Sequence, residues 1–154
     1  MKYAMVPTVW EETAEALDAA GHSQVELSDN PDFVFFSGKT PDFPEELPES
    51  VKLIQVPFAG VDSILDLIAD SHKKYGVRWS NAAGVYDSTV AESTIGLLLA
   101  QLHSHKRMAF AKTWSVRDEA ESHTSFLFED KTVAIVGAGG IGKKLISKIG
   151  RAHV

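Results

Sequence analysis

Residues 133 to 145 read "VAIVGAGGIGKKL": an apolar run, a glycine-rich turn, then the start of a basic amphipathic segment. Gly137, Gly139 and Gly142 satisfy the spacing G-x-G-x-x-G. In that spacing the first glycine permits a tight turn and the second lets main chain approach a diphosphate. The third lets a helix pack closely on a strand. The following helix would present free amides and a partial positive charge to an anion. Three glycines alone are weak evidence, because glycine is common in turns. Between "VAIV" and "IGKKLISKI" they predict the strand–turn–helix unit that opens a dinucleotide-binding domain. The acidic residue that would hold the cofactor's ribose falls about 20 positions later. That point lies past Val154, so NAD and NADP both stay open, with NAD the default.

Working outward, 154 residues suffice for one domain of ordinary size, or one domain and a piece of another. Hydrophobic content of 44% supports a packed core rather than disorder. The net charge of −6, with dispersed acids, argues against nucleic acid or an anionic membrane as partner. No cysteine is present, which excludes disulfides and thiolate metal sites. "MKYAMVPTVWEE" meets acidic residues too early for a secretory signal, and "IGLLLAQL" is far short of the roughly 20 residues of a membrane span. A soluble, cytoplasmic protein is expected.

The chain before the glycine turn alternates strand and helix. "KYAMVP" reads as a buried strand ended by Pro7, and Thr8 with Glu11 has capping-box spacing for a helix closed by Gly21. "SQVEL" is a weak strand, and "DFVFFSG" a stronger one, apolar on both faces. "KTPDFPEELPES", with three prolines, reads as loop with one helical turn. "VKLIQVPFAG" is another two-face strand, Asp62 reads as the N-cap of the next helix, and "GVRWSNAAG" starts as a short strand. Such alternation predicts a parallel sheet with crossover helices. Thr89 and Glu92, in "TVAE", have the spacing of a second capping box, opening a long helix through about Met108. "AKTWSVRDEAESHTSFLFEDK" reads as a connecting loop with a short helix, and "TVAIVG" as the strand entering the glycine turn.

This order of segments, with "FAGVD", "NAAGVYDSTVAE", a long helix, a tryptophan-bearing loop and "LFEDKTVAIVGAGGIG", resembles the D-isomer-specific 2-hydroxyacid dehydrogenase family. Phosphoglycerate, glycerate/hydroxypyruvate and formate dehydrogenases belong to it. Motifs carry the resemblance from Lys52 to about Leu145, and topology alone carries it before that. It implies an α/β protein: a flavodoxin-like substrate domain over residues 1–86, lacking its C-terminal return helix. A long helix and connecting loop follow over 87–130, then the first β-α unit of a Rossmann domain over 131–148. The terminal "IGRAHV" matches a translated sequencing adapter, so residues 149–154 are expected to be a non-native tail.

The resemblance also implies roles. Main chain at Ala59 and Gly60 would face the substrate's carboxylate and the nicotinamide, and Val90 would pack against the nicotinamide end of the cofactor. Gly140 and Ile141 would offer amides to the diphosphate, alongside Gly137, Gly139 and Gly142. Family members often carry arginine at the position of Gly140, and the glycine is expected to cost only a side-chain contact to the cofactor. Asn81 is expected to bond backbone, and Glu92 to serve its helix start rather than acid–base chemistry. His103 and His105 are two apart and share no helical face, His22, His72 and His123 read as solvated or unpartnered, and no metal site is expected.

The family's catalytic arginine, glutamate and histidine match no residue here, so the chain alone is expected to be inactive. The implied partner is a small 2-hydroxy or 2-oxo acid, and the full-length protein is expected to be a homodimer. Arg78 is the only arginine in the first 100 residues, which tilts against a phosphate-bearing substrate such as 3-phosphoglycerate. A non-catalytic NAD(H)-sensing regulator on the same fold is the alternative.

Overall fold

The computed structural model describes residues 1–127 and 131–150. Residues 128–130 of the connecting loop and 151–154 of the expected tail lie outside the described residues. The chain divides into two compact units, residues 1–83 and residues 84 onward.

The first unit is a five-stranded parallel sheet: β1 (Lys2–Val6), β2 (Ser23–Gln24), β3 (Phe33–Phe36), β4 (Leu53–Gln55) and β5 (Arg78–Ser80). Its order is β2-β1-β3-β4-β5, the flavodoxin-like arrangement. Register explains why the strands are apolar on both faces. Ala4 lies beside Val34, Val34 beside Ile54 and Ile54 beside Trp79, so these side chains share one face. Tyr3 beside Phe33, and Met5 beside Phe35, share the other.

Each face has its helix. α1 (Glu11–Ala19) covers the Tyr3 face: Ala14 is buried, and the Tyr3 hydroxyl donates to the Ala14 carbonyl at 3.2 Å and to Asp18 Oδ1 at 3.0 Å. The opposite face packs Val34, Phe36, Ile54 and Val77 against Ile64, with Leu67 and Ile68 of α2 (Leu65–Tyr75) beside them. Phe36, Phe43 and Trp79 form an aromatic cluster there, with Phe43 and Trp79 stacked at 5.7 Å. The Trp79 indole donates to Ser71 Oγ at 2.9 Å, which satisfies a buried hydroxyl.

Both N-caps predicted in this unit differ from the structure. Trp10, not Thr8, flanks α1; its ring meets Phe35 edge-on at 5.4 Å and its amide meets Met5 Sδ at 3.3 Å. Those contacts hold Trp10 extended, so the helix starts after it and Thr8 lies too early to cap. Asp62 is no N-cap either: it begins a one-turn 3-10 segment (Asp62–Ile64) flanked by Val61. Gly21 does close α1, with φ +84, the amides of Gly21 and His22 returning to Asp18 and Leu17.

The second unit contains α3 (Asp87–Leu102), α4 (His105–Ala111), α5 (Arg117–Ser122) and α6 (Gly140–Ile149). The predicted long helix is therefore two: Ser104 adopts φ +56 and breaks it. The Thr89–Glu92 box is not formed. The Tyr86 carbonyl already accepts from the Val90 amide at 3.0 Å, so Thr89 lies inside the first turn, its hydroxyl donating to Tyr86 O at 3.0 Å. Glu92 instead meets Lys148 of α6 at 3.6 Å. Residues 132–136, the predicted strand "TVAIV", pair with nothing as a strand, and Val136 is fully exposed. Among the described residues of this unit there is no strand for them to join. No helix among the described residues is long and apolar enough to cross a membrane.

Ile54 is fully buried, so Ile54→Ala should lower the unfolding free energy by about 2–5 kcal/mol in urea titration followed by tryptophan fluorescence. Burial, with Asp18 hydrogen-bonded beside it, pushes the Tyr3 phenol above its ordinary range. The folded state holds that proton more tightly than the unfolded chain, so stability is intact below about pH 10 and declines above it. Tyr3→Phe should blunt that alkaline decline.

Candidate functional site

A parallel sheet sets all its strand C-termini on one edge, where the turns after β4 and β5 meet. Ala82 N–H donates to the Phe58 carbonyl at 3.1 Å, extending the pairing past both strands. Asn81 follows β5: its Nδ2 donates to the Ala59 carbonyl at 2.9 Å, and its Oδ1 accepts from Ala83 N–H at 3.3 Å. The expected backbone-bonding role of Asn81 is thus what the geometry shows.

That bond orients the next amide. The C=O and N–H of a trans peptide point opposite ways. The Ala59–Gly60 peptide is trans, since the cis bond in the chain is Val6–Pro7. With the Ala59 carbonyl turned onto Asn81, the Gly60 N–H points away from Asn81 and finds no acceptor among the described residues. Ala59 and Gly60 are both exposed. A Cβ at Gly60 would sit 3.7 Å from Asp62 Oδ2, an ordinary contact, so internal packing does not require glycine there.

The second unit carries the glycine turn. Gly137 has φ +93, a conformation that side chains other than glycine rarely adopt. Gly139 flanks α6 in extended conformation, with no side chain capping the helix. Gly140 and Ile141 are its first residues, and the first intrahelical bond donates from Lys143 N–H to the Gly139 carbonyl at 2.9 Å. The leading amides of such a helix lack intrahelical partners. Gly142 is buried, and a Cβ on it would collide with the Gly137 carbonyl oxygen. Turn and helix are in contact at a place where only a glycine fits. Ile141 is 42% and Val90 40% exposed, each on its own helix near that unit's surface.

Asp87 carries no signal in the sequence, yet α6 packs along α3 and sets the Asp87 carboxylate against Gly140. A side chain at position 140 would overlap it, so the glycine there does more than omit a cofactor contact.

Two of the histidines meet main-chain carbonyls. His72 Nδ1 lies 2.9 Å from the Val77 carbonyl, and His123 Nδ1 2.8 Å from the Glu119 carbonyl, so His123 does have a partner. His22 is half-buried against Phe33 rather than solvated. Among the described residues no group of three or more His, Asp or Glu side chains is set to hold a metal.

No family model matches the chain. A protein of Corynebacterium melassecola, described as an uncharacterized protein in the proB 3' region, is 48% identical over 149 residues, which cover 97% of this chain and 48% of that protein. Among solved structures, D-mandelate dehydrogenase of Rhodotorula graminis superposes with a TM-score of 0.66 at 17% identity, covering 96% of this chain and 52% of that one. The fold is that of the D-2-hydroxyacid dehydrogenases. The NADPH-dependent glyoxylate/hydroxypyruvate reductase of Sinorhizobium meliloti shares it, with a TM-score of 0.61 at 19% identity over 96% of this chain and 50% of that one. The chain spans about half the length of the proteins it matches.

Steric demand separates two of the glycines. Gly142→Ala should loosen the turn by about 1–3 kcal/mol, read as faster amide exchange over Gly140–Ile146. Gly139→Ala, where an added Cβ meets nothing within 4 Å, should leave that exchange unchanged.

Proposed function

We propose that this chain is the N-terminal half of an NAD(P)-dependent oxidoreductase that moves a hydride between the nicotinamide and a small D-2-hydroxy acid or its 2-oxo acid. The observation that carries the reading is the contact of Gly142 with the Gly137 carbonyl. It builds a compact turn in which the amides of Gly140 and Ile141 are left for an anion, and a dinucleotide's diphosphate is the anion of matching chemistry. On the sheet edge, Asn81 turns the Gly60 amide outward, and bare glycine lets a carboxylate approach it.

When bound, the nicotinamide cofactor supplies the hydride acceptor or donor. This chain's own residues bind and orient: Gly60 and Ala59 take the substrate carboxylate, Gly137 to Gly142 take the diphosphate, and Val90 packs beside the cofactor. The base for the hydroxyl proton and the cation for the carboxylate are proposed to come from the other half of the enzyme, so the chain alone turns over nothing. Glyoxylate and hydroxypyruvate fit the scarcity of arginine better than a phosphorylated acid. The exposed Trp114, lining an open cavity of about 430 Å³ between α4 and α5, and the exposed Phe110 support a homodimer of the complete enzyme. A cytoplasmic setting is part of this proposal.

The test uses the protein carrying both halves. It should consume NADH or NADPH with glyoxylate or hydroxypyruvate, followed by nicotinamide absorbance. Gly60→Ala should weaken 2-oxo acid binding on the order of tenfold or more, one charge-assisted hydrogen bond, with the unfolding midpoint unchanged. Dinucleotide binding without turnover would instead assign a sensor, and no dinucleotide binding would end the proposal.

A further inference from the structure

In residues 1–83 the C-terminal edge of the sheet carries a single basic side chain. Lys2, Lys52 and Arg78 stand at or beside the starts of β1, β4 and β5. His22 follows α1, and His72, Lys73 and Lys74 lie in the last turn of α2, where the chain has returned to the starting edge. Lys39 alone follows the end of a strand, β3. Its main chain is pinned: the Lys39 N–H donates to Asp42 Oδ2 and the Lys39 carbonyl accepts from the Asp42 N–H, each at 2.8 Å. Gly38 before it is wedged, since a Cβ there would come within 2.9 Å of Pro7 Cδ and 2.7 Å of Asp42 Cβ. The Lys39 side chain is exposed and forms no ion pair among the described residues.

The fold opens at the same place. Chain leaving β1 crosses to β2 on one side, and chain leaving β3 crosses to β4 on the other. The ends of two such strands flank the ligand crevice of an open α/β sheet. Lys39 stands at that crevice, one strand away from β4 and from the Gly60 amide that Asn81 turns outward. Neighbouring strands lie about 4.8 Å apart, a gap that lysine's four-carbon stem crosses. Resting on the 2-oxo acid reading above, we infer that Lys39 selects substrates carrying a second carboxylate. The carboxylate next to the oxo group lies at Gly60 and the distal one at the Lys39 ammonium, so the substrate class is the 2-oxo dicarboxylic acids and their D-2-hydroxy counterparts. One ammonium matches the single charge of a carboxylate, whereas a phosphate dianion is better met by arginine's paired donors, which this edge lacks. Asp42 and Asp62 make the edge otherwise negative, so a doubly charged acid is admitted only where Lys39 meets it.

The test compares two substrates of the protein carrying both halves, with NADH or NADPH. Its kcat/KM for 2-oxoglutarate should exceed that for 2-oxopentanoate, which has the same carbon chain without the distal carboxylate. Lys39→Met should lower that ratio on the order of tenfold, the loss of one charge-assisted hydrogen bond, and the change should fall on KM rather than kcat. Lys39→Arg should hold the ratio, and Lys52→Met, at the opposite edge, should leave it unchanged. Should Lys39→Met lower the unfolding midpoint, Lys39→Gln is the second uncharged variant. A ratio at or below one, one that the uncharged variants do not move, or one that Lys39→Arg loses as fully overturns the role of Lys39, while reduction of glyoxylate keeps the dehydrogenase reading. Failure to reduce any 2-oxo acid overturns that reading, and this inference with it.

Discussion

Parallel strands form a stable sheet only where both faces are covered, because each strand lends side chains to two cores. Everything in residues 1–83 follows from that constraint. Val34 and Phe36 point to one core and Phe33 and Phe35 to the other, so β3 must be apolar throughout. α1 closes the Tyr3 side and α2 the Ile54 side. The same direction of travel in all five strands brings their C-terminal ends to one edge, and there the turn at Ala59–Gly60 meets Asn81.

The constraint also accounts for residues 132–136. "TVAIV" has the composition of a strand buried on both faces, and no described residue of its unit supplies a neighbouring strand. The glycine turn does not depend on that pairing. Its shape comes from the positive φ of Gly137 and from the contact of Gly142 with the Gly137 carbonyl, both local to the turn and α6. The glycine turn can therefore stand on α6 packed against α3, while the segment that leads into it stays unpaired.

Most of the sheet was legible because its signals are local: apolar runs four to seven residues long, punctuated by Pro7, Gly21 and Gly76. The helix starts were less so. Thr8 and Thr89 have capping-box spacing, but Trp10 is held by Phe35 and Met5, and α3 begins two residues before Thr89. A cap is decided by which residue the surrounding packing forces out of helical geometry, and spacing along the chain does not record that. The break at Ser104 was equally hidden, since "LHSHKRM" contains neither glycine nor proline.

The sequence by itself determined the alternation of strands and helices, the glycine turn and the positions at which main chain would be left bare, because each is a property of neighbours a few residues apart. Tertiary structure alone decided the direction of the Gly60 amide, through a hydrogen bond spanning 22 residues, and the seating of Asp87 on Gly140, through the packing of two helices far apart in the chain. Hydrogen bonds and charges act across space, and their partners are chosen by how elements pack, which no local pattern encodes.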